Sequence, residues 1–289
     1  MIAYPDDAEL LEWANAHSLP PASVLRDVAR LVEILNLRHR GFFDSRSVLA
    51  GSMALRAFGS PRFTIYDTDL STEADVTPTA LNQLLSYEDD DLKITPEETT
   101  PTGDGGGVWR TKPVIFEPYF SDIALANGDN DFAVDTSQRG LVRDGAEQVL
   151  LVPYASDLGI WGRDEPPSVW MMSLSEICAE KILGWAANRL AKHYADVAFI
   201  GGAYAKHLDR ADLRSCVMDK LTVMTALQPQ NYMALATLDD VVATLRPPVE
   251  LPPQQWQTIS YVTRSFSRED VQSMMLRGLI PMLEHQPGH

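Results

Sequence analysis

Apolar positions in the first forty residues recur at the three- and four-residue spacing of a helix buried along one side. Val24, Leu25, Val28, Leu31, Val32 and Leu35 form such a stripe. They predict a helix over Pro21–Leu37, which Pro20 and Pro21 start, with a shorter one before it over Asp6–His17. The pattern then changes. Ser47–Ala50 predicts a short strand, Met53–Phe58 a helical turn or two, and Phe63–Leu70 a second strand. Pro78–Tyr87 is helical with Leu81, Leu84 and Leu85 inward, and Asp89–Lys93 onward is extended and turn-rich. Val108–Tyr119 is a strand ending near Glu117, and Asp122–Leu125 and Gln148–Val152 are further extended pieces. From Ser173 onward the pattern is helical to about Ala226, with Gly201-Gly202 as a break. Asn231–Leu245 is a further helix, residues 246–253 a Pro-rich spacer, and Arg268–Arg277 a last helix ended by Gly278 and Pro281. The expected class is α/β: a mixed sheet with helices over residues 1–168, then an all-helical lobe over 169–289, with no internal repeat.

Candidate chemistry concentrates between Ala50 and Leu70, A-G-S-M-A-L-R-A-F-G-S-P-R-F-T-I-Y-D-T-D-L. In an extended strand Asp67 and Asp69 project from one face, with Cα atoms roughly 6.6 Å apart. Two carboxylates so placed can share a divalent cation, or two, as phosphoryl and nucleotidyl transfer require. Gly51 and Ser52 follow an apolar strand at a helix start, where backbone N–H groups favour phosphate. A third carboxylate on a neighbouring strand would complete the metal site. Glu117 is the first candidate and Asp122 the reserve. Further on, Lys181 and Lys192 are eleven positions apart and would share a face of an unbroken helix. A lysine there suits a triphosphate, as a point charge with three donors. His193 is expected to be a packing or surface residue, because this chemistry needs positioning and charge neutralisation more than a base.

Composition narrows the setting. At 289 residues the chain can form two lobes, and its 45% hydrophobic and 22% charged residues are ordinary for a soluble protein. No apolar run reaches the ~20 residues of a membrane span, and no secretory signal opens the chain. Cys178 and Cys216 lie far apart without a C-x-x-C, which indicates neither a disulfide framework nor a zinc site. A cytoplasmic protein is expected. The net charge of −16 argues against a surface that coats nucleic acid generally. It is unevenly spread: residues 73–104 hold nine acids against Lys93, whereas 181–220 hold seven bases against four acids.

Taken in order, G-S-x-x-L-R, G-S-P-R-x-T, D-x-D, a strand with Glu, E-x-x-A-E-K and a later A-D-V resemble the AbiEii/AbiGii nucleotidyltransferase toxins, which include the MenT-type toxins. The resemblance spans roughly Val48–Phe199. Its first half is shared by the polymerase-β-like superfamily, and its second half points to the toxin branch. It implies a polymerase-β-like nucleotidyltransferase lobe and a helical C-terminal lobe. It implies Asp67 and Asp69 as metal ligands, Gly51 and Ser52 as the phosphate turn, and Lys181 as the nucleotide lysine. Asp196 matches a late essential aspartate, and Thr64 lies near a hydroxyl residue before the acid pair. Arg62 would join Ser52 and Lys181 on the triphosphate. Mg²⁺ and an NTP substrate follow, with the 3′ end of tRNA as acceptor; the positive excess of 181–220 leads us to expect the tRNA across the helical lobe, on some of Lys192, Lys206, Arg210 and Arg214. A separately encoded antitoxin is the expected regulator. Transfer to a small molecule or protein hydroxyl is the rival within enzymes. A catalytically dead, partner-binding module is the rival outside them.

Overall fold

The structure, a computed structural model, describes residues 4–60, 67–102, 108–116, 131–138, 142–143, 145–150, 152–161, 165–246, 254 and 267–284. It divides into two compact units. Unit 1 comprises residues 1–59 and 64–172, and unit 2 comprises 60–63 and 173–289.

Unit 1 is built on one mixed sheet of eight strands: β1 (Ser47–Ala50), β2 (Asp67–Thr72), β3 (Tyr87–Glu88), β4 (Lys93–Pro101), β5 (Val108–Phe116), β6 (Ala133–Ser137), β7 (Ala146–Val149) and β8 (Ser168–Met171), in the order β3-β4-β5-β6-β2-β1-β8-β7. Pairing is antiparallel except for β2 with β6 and β1 with β8, which are parallel. The early helices are α1 (Asp7–Ala16), α2 (Pro21–His39), α3 (Gly51–Ala57) and α4 (Pro78–Leu85), with a short α5 (Pro153–Asp157). Asp6 and Glu9 form a reciprocal capping box on α1. Helix α2 buries Val24, Leu25, Val28, Leu31 and Val32 as its stripe requires, but also Asp27, Arg30 and Glu33. Asp27 and Arg30 join in a buried ion pair.

Three strands were not expected from the hydrophobic pattern: β3, β6 and β8, which are two to five residues long. The strand expected from Phe63 is formed from Asp67 on, and residues 61–66 lie outside the described residues. So do Asp122–Leu125 and the glycines at 103–107.

Unit 2 is helical: α6 (Leu174–Asn188), α7 (Ala191–Phe199), α8 (Arg210–Leu227), α9 (Pro229–Tyr232), α10 (Leu238–Leu245), α11 (Arg268–Met274) and α12 (Ile280–Leu283). The long helical run is interrupted where the sequence did not show it. Arg189 takes the left-handed conformation at φ 53° and ends α6. Gly201-Gly202, expected as a break, instead lie in a π-helical turn, Ile200–Tyr204, that continues α7. A second π-helical turn, Met275–Leu279, carries the chain from α11 into α12, so neither Gly278 nor Pro281 ends the helix. Gly278 serves close packing instead: a Cβ there would lie 1.9 Å from the Gly201 carbonyl oxygen. No described helix is long and apolar enough to cross a membrane.

Candidate active site

Strand β2 alternates. Thr68 and Leu70 are each 1% exposed, while Asp67 and Asp69 face the other side and are half-buried. On the adjacent parallel strand β6, Asp135 stands opposite Asp69. Carboxylate oxygens of Asp67, Asp69 and Asp135 all lie within 4.8 Å of one another. Three hard oxygen donors at that separation fit a hard divalent cation of the Mg²⁺ type, which few other side-chain sets would attract.

Asp135 is the residue that sequence reasoning missed. Its signal was the short alternation Phe132, Val134, Thr136, all buried, around Ala133, Asp135 and Ser137. Glu117 and Asp122, the third acids expected from sequence, lie outside the described residues. The strand preceding Glu117 is not the neighbour of β2, because β6 intervenes. On β5 the residue level with Asp135 is Arg110. Phe116, six residues further, is roughly 20 Å along the strand from that level.

Arg110 grips Asp135 through both arms of its guanidinium, Nε to Oδ1 at 2.7 Å and Nη2 to Oδ2 at 2.6 Å. Those hydrogen bonds, with the charges of Asp135, Asp67 and Asp69, hold the Arg110 proton still more firmly than usual.

Two turns of chain explain the Gly-Ser motif. β1 pairs antiparallel with β2, which puts Ala50 opposite Asp69. Gly51 then turns into α3 at φ 64°, the left-handed region that glycine enters without penalty. A Cβ on Gly51 would lie 1.8 Å from Asp69 Oδ2. The glycine is therefore the floor against which the Asp69 carboxylate rests. Ser52 is 2% exposed, in the first turn of α3.

Beneath β2 lies a buried ionic network. Arg30 of α2 donates Nε to Thr68 Oγ1 at 3.0 Å and Nη2 to the Asp67 carbonyl. Its Nη1 reaches Asp27 Oδ1 at 3.1 Å, and Asp27 Oδ2 accepts from Arg56 of α3. Asp27 and Arg30 have fully buried side chains and Arg56 is nearly so. Two guanidinium groups thus share one carboxylate behind a strand whose front carries two acids. This network accounts for the arginine of G-S-x-x-L-R, for which the sequence offered no role.

In unit 2, Lys181 of α6 and Asp196 of α7 form an ion pair at 3.6 Å, their side chains 9% and 2% exposed. Lys181 and Lys192 do not share one helix, since Arg189 separates α6 from α7. His193 packs its ring against Gly184, in keeping with a packing role. Arg62 and Thr64 lie outside the described residues.

The basic segment is largely used within the unit. Lys220 is buried between Glu176 at 3.3 Å and Glu180 at 3.1 Å. Arg210 and Arg214 donate to the carbonyls of Glu284 and Leu283, closing the C-terminal end of α12.

No curated protein matches the chain by sequence. Among solved structures, the fold is similar to the nucleotidyltransferase toxin MenT4 of Mycobacterium tuberculosis, with TM-score 0.65 and 18% identity, covering 93% of this chain and 86% of that one. A nucleotidyltransferase structure from H. pylori, described as putative, aligns at TM-score 0.49 and 16% identity over 91% and 98% of the two chains. The sequence also matches, over residues 36–260, the family described as nucleotidyl transferase AbiEii toxin, type IV toxin–antitoxin system. With an eight-stranded α/β unit, a helical unit and that match over most of its length, the chain belongs to the AbiEii family of nucleotidyltransferase toxins.

Proposed function

We propose that this toxin transfers a nucleotide from an NTP to the 3′ end of tRNA, using a divalent cation held by Asp67, Asp69 and Asp135. The observation that carries the reading is the convergence of three carboxylates from two adjacent strands. Mg²⁺ bound there would supply charge neutralisation for the triphosphate and for the attacking oxygen.

The chain's own residues supply position. Gly51 leaves space for the Asp69 carboxylate, and the Arg30–Asp27–Arg56 network fixes the height of β2. Ser52 offers a hydroxyl at the turn. In unit 2, Lys181 is the proposed triphosphate lysine, oriented by Asp196. Phosphoryl chemistry of this kind depends mainly on such positioning and electrostatics. The antitoxin of this toxin–antitoxin system is proposed to be a separately encoded protein.

For the acceptor, the available cations of the helical unit are few. With Lys181 and Lys220 paired, Arg210 and Arg214 engaged on helix-end carbonyls and Arg189 donating to the Thr244 carbonyl, the exposed Lys206 and the half-buried Lys192 remain from the basic segment. The exposed Arg277 joins Lys206 and Ser273 in lining an open depression of about 530 Å³. Neither Lys206 nor Arg277 has a partner among the described residues. This is the surface proposed to meet RNA phosphates.

The test is Asp135→Asn. It is nearly isosteric and keeps β6 intact, yet removes one anionic ligand, so transfer should fall by several kcal/mol of transition-state stabilisation. Circular dichroism should show a native fold. Wild-type turnover in folded Asp135→Asn would remove the three-carboxylate site from the account.

A further inference from the structure

Three acids within 4.8 Å would repel one another strongly without a cation among them. The chain supplies one of its own. Arg110 sits on β5 level with Asp135, its side chain 43% exposed, and occupies both oxygens of that carboxylate. A divalent cation that uses Asp135 must take or share an oxygen already bonded to a guanidinium, and must sit close to a fixed positive charge. We infer that Arg110 is an internal counterion of the acid cluster, one that weakens binding of free divalent cations and so ties metal loading to the arrival of nucleotide.

The physical argument is a balance of charge. Among the described residues, three carboxylates and one guanidinium leave the cluster at −2, a weaker trap than −3. A triphosphate brings several negative charges of its own, which offset the guanidinium and restore the pull on the metal. Arg110 is thus a positioning residue with an electrostatic consequence. Its planar fork keeps Asp135 aimed across at the β2 pair, as a bidentate arginine can and a lysine cannot. Its exposure leaves the guanidinium accessible to an anion entering from solvent.

This inference rests on the metal-site reading above, and its test separates the two. Mn²⁺ is titrated into the full-length protein without nucleotide, for wild type, Arg110→Gln, Arg110→Met, Arg110→Lys and Asp67→Asn. Removing a unit charge some 5 Å from a divalent ion should tighten binding about tenfold or more, even at the dielectric constant of water. Arg110→Gln and Arg110→Met should both show this, so a folding failure in one leaves the other to decide. Arg110→Lys, which keeps the charge but not the fork, should bind Mn²⁺ about as weakly as wild type. Unchanged or weaker Mn²⁺ binding in both charge-removing variants overturns the counterion role. If Asp67→Asn binds Mn²⁺ as wild type does, or if Arg110→Gln and Arg110→Met bind none, the three-carboxylate reading itself has failed and the inference with it. If Asp67→Asn loses binding while Arg110→Gln and Arg110→Met match wild type, the counterion inference alone is wrong.

Discussion

Gly51 and the Asp69 carboxylate share a space with no room for a methyl group, since a Cβ would approach Asp69 Oδ2 to 1.8 Å. Gly51→Ala must therefore push Asp69 away as well as strain a backbone at φ 64°. The backbone effect should lower stability by about 1–2 kcal/mol. Displacing a ligand by an ångström can cost on the order of 10²-fold in rate. Chemical denaturation and transfer assays together should show a rate loss far larger than the stability loss implies. Glu33 makes a different residue-scale case. It is 1% exposed on α2, and neither carboxyl oxygen has a hydrogen-bond partner among the described residues. Burial pushes its pKa well up, although the charge of Arg40 pulls the other way. A carboxyl with a folded pKa above its unfolded value favours folding at acid pH. That contribution is lost as pH climbs from the unfolded value near 4.3 through the folded one, at about 1.4 kcal/mol per unit of difference. Glu33→Gln should thus match wild type near pH 4 and be more stable at pH 8, as thermal melts across that range would show. A stability difference that does not grow with pH would contradict it.

At the scale of elements, strand β2 is held from behind by α2 and α3 through the Arg30–Asp27–Arg56 network. A buried charge set is sensitive to losing one member. Asp27→Ala would remove the buried carboxylate that two buried guanidinium groups share and should cost about 3–5 kcal/mol in urea denaturation. A change under 1 kcal/mol would mean that the network does not hold the strand. The same reasoning alters how Lys181 should be probed. Because Lys181 partners the buried Asp196, Lys181→Ala removes a charge pair along with any nucleotide contact, so stability must be measured beside affinity. What was legible in the sequence follows this division. Helix α2 and the Asp67–Asp69 pair were legible because a stripe of apolar residues and an alternating strand are local patterns. Asp135 was not, because β6 is five residues long and acquires meaning only from lying parallel to β2. The purpose of Asp27, Arg30 and Arg56 was hidden for a similar reason. Charges within an apolar stripe look like a solvated face until the partner element, 29 residues from Asp27 in the case of Arg56, is in place. Arg189 ends α6 in a left-handed turn that its residue type does not announce.

Across the whole molecule, a chain at −16 is proposed to act on a polyanion. The positive excess of residues 181–220 does not translate into a basic face of the same extent. Lys181 and Lys220 are paired inside unit 2, and Arg210 and Arg214 close a helix end. Charge reversal at Arg210 or Arg214 would therefore damage the fold, and it is unsuitable as a probe of RNA binding. Part of the acidic stretch also has structural work. Asp89 accepts hydrogen bonds from the Tyr4 and Tyr87 hydroxyls and from the N–H groups of Asp91 and Leu92, fixing the turn into β4. If Lys192, Lys206 and Arg277 carry the contact, RNA affinity should fall with salt in proportion to that small number of phosphate contacts. We propose metal-dependent nucleotide transfer to tRNA by the three-carboxylate site. Its most direct test is incubation of the full-length protein with each α-labelled NTP and bulk tRNA, with and without Mg²⁺, alongside Asp69→Asn. The account predicts label at the tRNA 3′ end for the wild type with Mg²⁺, and none without the metal or with Asp69→Asn. Label appearing on protein or a small molecule, or on tRNA regardless of Mg²⁺ and Asp69, would contradict it.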